Sequence, residues 1–368
     1  MLVIGGGVAA LEFVLALRKL AEDRVRCTLV CPEEAFAYRP ASVAVPFGDA
    51  EVYRFPIDDV AATAGADWRR TTVERVDPGA RVTELADGTR LAYDRLVVAT
   101  GARRVPVLEG AITFRGEEDV PAIEQLLSEM DDGTVRRVAF ALPTGATWPL
   151  PLYELALLTS ARLATRSYGG SILLAFVTPE DEPLAVFGGD ATALVRRLFA
   201  ERGVRLYEKS HPAAINGDTL VLVPPALLHV DRVVAMPAAR GRPITGLPHD
   251  FEGFLPVDGH GRVVGVPSTF ALGDATSHPI KQGGIAAQQA DVVAQLIAHE
   301  AGAPVDPPPR YTPTLRGLML TGDEPQYLEA KPTGGHGTPA KASTEPLWWP
   351  GGKIAAPHLG SYLVAARR

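Results

Sequence analysis

The chain opens on an apolar run, Met1-Leu2-Val3-Ile4, which breaks at Gly5-Gly6-Gly7 and resumes with apolar residues at helical spacing through Leu20. This pattern predicts a short buried strand, a tight turn and a helix starting near Val8. The apolar run 26–31 predicts a second strand, which completes a β-α-β unit within about 30 residues. Segments 72–76, 81–85 and 91–98 predict a small meander ending in a buried strand, with turns at Asp77-Pro78-Gly79 and Asp87-Gly88. Beyond it, helical periodicity over 120–130, 150–163 and 190–202 alternates with strand-like runs at 135–142, 172–177, 204–207 and 230–236. A second α/β unit is therefore expected. Hairpins are predicted around Asn216-Gly217 and over 256–264, followed by a strand at 269–272 and a helix over 284–299. Segment 304–309 carries four prolines and reads as a connector. After it the pattern predicts only a short helix near 359–365.

Composition narrows the class. At 368 residues the chain exceeds what one core serves, so two domains, or two plus a tail, are expected. There is no apolar run of about 18 residues and no signal-peptide pattern before the first strand, which gives the expectation of a cytoplasmic protein. A formal charge of −7 opposes a nucleic-acid role, because phosphate binding wants a clustered basic surface. The two cysteines, Cys27 and Cys31, sit four apart in an extended run. Their Cα atoms would lie about 13 Å apart, beyond the roughly 7 Å limit for a bridge, so buried strand thiols are expected. The eight histidines show no pair at metal-ligand spacing, and no metal site is expected.

The glycine turn carries the first candidate chemistry. Gly5 suits the sharp turn, Gly7 lets backbone approach a pyrophosphate, and small Ala10 lets helix and strand pack closely. The helix start near Val8 then offers unpaired N–H groups and a positive dipole end. An acid after the second strand would hold a ribose hydroxyl; Glu33 is preferred over Glu34, although both also suit a solvated loop. Two further strand ends, Ala99-Thr100-Gly101 and Gly273-Asp274, are expected at the same sheet edge as Gly5 to Ala10.

Read together, these three strand ends resemble the FAD-dependent pyridine nucleotide-disulfide oxidoreductase superfamily. The closer likeness is to the branch of sulfide:quinone reductases, flavocytochrome c sulfide dehydrogenases and type II NADH dehydrogenases. It is carried by residues 36–40 (Phe-Ala-Tyr-Arg-Pro), 231–237 (Asp-Arg-Val-Val-Ala-Met-Pro), 253–258 (Gly-Phe-Leu-Pro-Val-Asp) and 279–284 (Pro-Ile-Lys-Gln-Gly-Gly). The resemblance implies an α/β fold of two Rossmann-like domains: a discontinuous FAD domain, 1–108 and 240–306, interrupted by an NAD(P)-domain-like unit, 109–239, with a cap or interface segment at 307–368. It implies FAD contacts from Gly5, Gly7, Val8, Ala9, Ala10, Glu33, Arg39, Pro40, Val76, Ala99, Thr100, Gly101, Gly273, Asp274, Lys281, Gln282, Gly283 and Gly284. Asp274 would accept from the ribityl chain, and the helix after Lys281 would stabilise negative charge at the pyrimidine end of the flavin. Lys281 would add to that charge or lie exposed at the helix start. Tyr38 and His278 are further candidates for contact with substrate or for proton transfer.

Departures from the family decide more than the matches. No cysteine follows Cys31, which removes dithiol chemistry, and Trp148 stands where the sulfide-oxidising relatives open a cysteine motif. Nicotinamide binding stays open, because the 143–148 loop holds one glycine and Glu180 reads equally as a ribose acid or as part of an acidic loop. Trp348-Trp349 and the stripe Leu359, Tyr362, Leu363 give the tail three expected uses: covering the flavin, pairing subunits as a homodimer, or touching a membrane. The expected function is a FAD oxidoreductase passing electrons from a small donor, with NAD(P)H among the options, to a small acceptor such as a quinone. The alternative is a flavin-carrying electron-transfer subunit without its own NAD(P)H site.

Overall fold

The structure is a computed structural model and describes residues 1–165, 172–332 and 340–367. Two five-stranded parallel sheets organise it. The first runs in the order Thr269–Ala271, Leu96–Val98, Leu2–Ile4, Cys27–Val30, Ala66–Arg69, with Leu2 in register with both Thr28 and Leu96. Its strands Leu2–Ile4, Leu96–Val98 and Thr269–Ala271 are buried at every position because both faces are covered, while Ala66–Arg69, at one edge, is partly exposed. Helix Val8–Ala21 lies on one face against helix Gly283–Glu300; fully buried Ala10, Ala16, Ala287, Ala290 and Ala294 let the two approach closely, and Leu11, Phe13 and Leu17 anchor the core. Each of those larger side chains contributes roughly 1.5–3 kcal/mol by leaving water.

The second sheet runs Ile112–Thr113, Arg232–Ala235, Arg137–Ala141, Leu173–Val177, Val204–Tyr207, again all parallel. Helices Val120–Asp131, Leu150–Ala164 and Gly189–Glu201 supply its crossovers. Sequence 112–235 is thus inserted between the strands of the first sheet. Cys27 and Cys31 are both free and buried.

Two expectations need correction. The run 91–98 is two strands: Arg90–Ala92 closes the antiparallel meander, and Leu96–Val98 enters the main sheet. The polar stretch Tyr93-Asp94-Arg95 makes the break, and only the second piece is buried at every position. The tail also holds far more structure than one helix. Strands Leu315–Met319, Gln326–Ala330 and Ala340–Ser343 form an antiparallel sheet. Gly317 is required there, since a Cβ would fall 2.8 Å from Phe187 Cζ and 2.9 Å from Leu150 Cδ2. Gly and Pro in this region masked the strand pattern, because that sheet is stabilised by packing on the second unit rather than by local propensity. Helix Pro357–Ala365 buries Leu359 and Leu363 in the first core. Of the tryptophan pair, Trp348 is buried with its Nε1 donating to Gly352 O at 3.0 Å, while Trp349 is 81% exposed. No helix among the described residues is long and apolar enough to cross a membrane.

Candidate functional site

The register of the first sheet puts the carboxyl ends of four strands level, so Gly5, Cys31, Ala99 and Leu272 emerge along one edge. The strand order reverses direction about Leu2–Ile4, and such a switch point opens a crevice outside the strand ends. Gly5, at φ +124°, passes so close to the next strand that a Cβ would sit 2.2 Å from Ala99 O. At Gly7 a Cβ would meet nothing within 4 Å, and the helix start has no side-chain cap. Open space therefore lies beside Gly7 at the uncapped start of this helix. Thr100 Oγ1 is buried on the same edge without a hydrogen-bond partner, and Asp274 accepts no hydrogen bond from any described residue. These orphaned acceptors and donors fit a dinucleotide with a diphosphate and a polyhydroxyl chain.

The electrostatics of the groove centre on Asp274. Burial raises its pKa, while Arg104 and Lys281 pull it down. Arg104 is surrounded by protein atoms although solvent reaches it; burial lowers its pKa, Asp274 opposes this, and Arg39 adds to the lowering. Its Nη1 donates to Arg115 O. Nothing in the local pattern around Arg103–Val105 marked Arg104 out, because its neighbours come from residues 39 and 274. Lys281 is 8% exposed, so the reading as an exposed lysine is overturned. Its Nζ sits 3.6 Å over the Phe254 ring and donates to Thr276 O. Burial lowers its pKa to about 8, against the pull of Asp274, Asp250 and Glu252.

Other sequence-predicted residues divide by what they already bind. Gln282 caps its helix by accepting from Ile285 N at 2.8 Å and donates to Arg316 O at 2.9 Å, which leaves the following Gly283 and Gly284 at the helix start. Arg39 and Pro40 begin a 3-10 turn. Tyr38 Oη accepts from Ile354 N at 3.2 Å, so its hydroxyl anchors the tail. Ile354 also packs over Gly283, where a Cβ would lie 3.3 Å from its Cγ1. The tail thus covers the helix start expected beneath the flavin ring. His278 turns away, edge-on to Tyr311 at 5.8 Å, and both line a 230 Å³ cavity that includes none of the groove glycines. Burial lowers its pKa, which keeps it neutral near pH 7. Glu33 is exposed beyond the second strand, and Glu34 pairs with Arg70. Val76 donates its amide to Thr245 O at 2.9 Å, its carbonyl faces Gly246, and its side chain is 1% exposed.

Sequence reasoning missed two buried clusters that tie the tail down. Glu154, 2% exposed, holds Lys353 Nζ and accepts from Leu320 N at 2.9 Å. Glu12 caps the last helix through His358 N at 2.9 Å and Leu359 N at 2.5 Å, with Asp291 beside it. One ligand atom each from Glu12, Asp291 and His358 lies within 4.8 Å of the others. Burial, and then Glu12, raise the Asp291 pKa from 3.8 to about 8; burial and Lys19 lower that of His358. Asp291 therefore binds its proton more tightly in the fold than in the unfolded chain, and stability declines as pH climbs from about 4 to about 8. Asp291→Asn is expected to flatten that decline and raise Tm at pH 8 by about 4 °C, measured by thermal melts across this range.

The fold defines a protein of two Rossmann-like units with a crevice at the switch point of the first sheet. Residues 1–139 match the description of the pyridine nucleotide-disulphide oxidoreductase family. It is 28% identical to the sulfide-quinone reductase of Aquifex aeolicus over 231 residues, 60% of this chain and about half (53%) of that protein. An NADH dehydrogenase-like protein of Mycobacterium tuberculosis is 26% identical over 292 residues, covering 75% of this chain and 72% of the relative. The crystal structure of the Aquifex aeolicus sulfide:quinone oxidoreductase superposes with a TM-score of 0.82 at 22% identity, over 93% of this chain and 86% of that one.

Proposed function

We propose that this protein is a FAD-dependent oxidoreductase in which a donor reduces the flavin and a small acceptor of the quinone class reoxidises it. The observation that carries the reading is the uncapped helix start at Gly7, open on the side where a Cβ would point, with unpartnered Thr100 and Asp274 on the same edge. FAD, when bound, supplies the electron chemistry. The helix start at Val8, Ala9 and Ala10 would hold the diphosphate, and Asp274 would accept from the ribityl hydroxyls. The helix start at Gly283-Gly284 and the cation of Lys281 favour negative charge at the pyrimidine end. Ile354, held by Tyr38, keeps water from that end. Relatives named for sulfide-quinone reduction and NADH dehydrogenation agree with this class. A thiolate sulfide relay is not part of it, since Trp148 packs edge-on to Phe187 at 5.7 Å and no cysteine follows Cys31.

The test is spectroscopic. The purified protein, incubated with FAD and desalted, is expected to retain an absorption band near about 450 nm, to bleach on anaerobic photoreduction, and to regain the band when a soluble quinone is added. A protein that keeps no flavin, or whose reduced flavin ignores quinone, contradicts the proposal.

A further inference from the structure

The second unit presents a different face where a second dinucleotide would lie. Its central strand Arg137–Ala141 leads through residues 142–149 into helix Leu150–Ala164, the place corresponding to the glycine turn of the first unit. A pyrophosphate needs free N–H groups at such a helix start. Here the cap is Pro149 and the second helical residue is Pro151, neither of which has an N–H, and Leu152 N is bonded to Pro149 O at 3.0 Å. Among the first three helical residues only Leu150 keeps an uncommitted amide.

That remaining position is covered. Leu150 is 3% exposed, and both its side chain and Phe187 press on Gly317 of the tail sheet. Trp148 closes against the same Phe187. The loop holds a single glycine, Gly145, and no counterpart of Gly5, whose close pass against the next strand shapes the first groove. The acid in the ribose position is also taken. Glu180 Oε2 accepts from Tyr153 Oη and from Thr178 Oγ1 at 2.8 Å, and Tyr153 is fully buried, stacked at 4.2 Å on Phe176. Glu180 thus already serves the core through Tyr153 and Thr178.

We infer that the second α/β unit is closed to nicotinamide dinucleotides, and that the donor is a small reductant without a nucleotide handle, reaching the flavin directly. The unit acts as a scaffold that carries the tail sheet against the start of helix Leu150–Ala164. This inference deepens the flavin reading and rests on it for the word donor, whereas the closure itself is independent of the flavin.

Calorimetry of NADH, NADPH and NAD⁺ against the full chain, with excess FAD present, is expected to give no saturable heat up to about 1 mM. Under anaerobic conditions NADH and NADPH are expected to leave the flavin band unchanged while photoreduction bleaches it. Heat from NADH that excess FAD abolishes belongs to the first groove and agrees with the closure. Saturable NADH heat in the micromolar range that persists with FAD overturns it, as does bleaching by either nucleotide. If the protein takes up no FAD, the flavin reading fails, and calorimetry on the flavin-free chain still decides the closure: NADH heat that survives Asp274→Ala and Gly7→Asp in the first groove refutes it, and heat lost with them supports it.

Discussion

Asp274→Ala is expected to weaken FAD binding roughly 10- to 150-fold, the equivalent of about 1.5–3 kcal/mol for hydrogen bonds to an ionised acceptor. The carboxylate is held in the groove by the fold, with burial raising its pKa and Arg104 and Lys281 lowering it, and no described donor uses its oxygens. Its removal takes nothing from the packing of the empty fold. The variant should therefore melt at the wild-type temperature without FAD, yet retain less flavin after desalting and show a weaker calorimetric Kd. Asp274→Asn keeps an acceptor and loses the charge, so its affinity should fall between the two. Equal flavin content in wild type and Asp274→Ala would remove the site assignment; a collapsed melt would make Asp274 a folding residue instead.

The groove was legible in the sequence because its parts are backbone features. A strand, a glycine turn and a helix start are set by local pattern, and Gly5, Gly7 and the strand end before Asp274 fall where that pattern places them. The second unit was legible as alternation of helix and strand, with strand Val204–Tyr207 read to the residue. What lay hidden depends on long-range partners. Arg104, Glu154, Glu12 and Lys353 look like ordinary surface charges until residues 39, 274, 291, 320 and 358 are brought to them. The tail sheet was equally hidden, because Gly317 and Gly322 weaken strand propensity and are needed only where Phe187, Leu150 and Ala161 press on them. Lys281 shows the same limit in one side chain: its position was evident, but its burial over Phe254 was not.

Lys353→Ala is expected to cost roughly 3–5 kcal/mol at neutral pH, because it leaves the Glu154 carboxylate buried without its cation. Burial already raises the Glu154 pKa, and Lys353 is the main group opposing that rise. Without the lysine the folded pKa climbs further, so the folded variant retains a proton that the unfolded chain releases. The loss of stability should thus be smallest below the ordinary value of 4.5 and grow as pH rises toward neutrality, a sign opposite to that of a carboxylate whose folded pKa is depressed. Glu154→Gln/Lys353→Met, which removes both charges, should recover most of the stability, whereas a purely steric role for Lys353 would leave the double variant as weak as the single one. The same pair fastens residues 353 and 354 against Tyr38 and Gly283. Loosening it uncovers the helix start beneath the flavin, so Lys353→Ala should also speed oxidation of the photoreduced flavin by oxygen, and a wild-type oxidation rate in that variant would separate the tail's structural hold from any shielding of the ring.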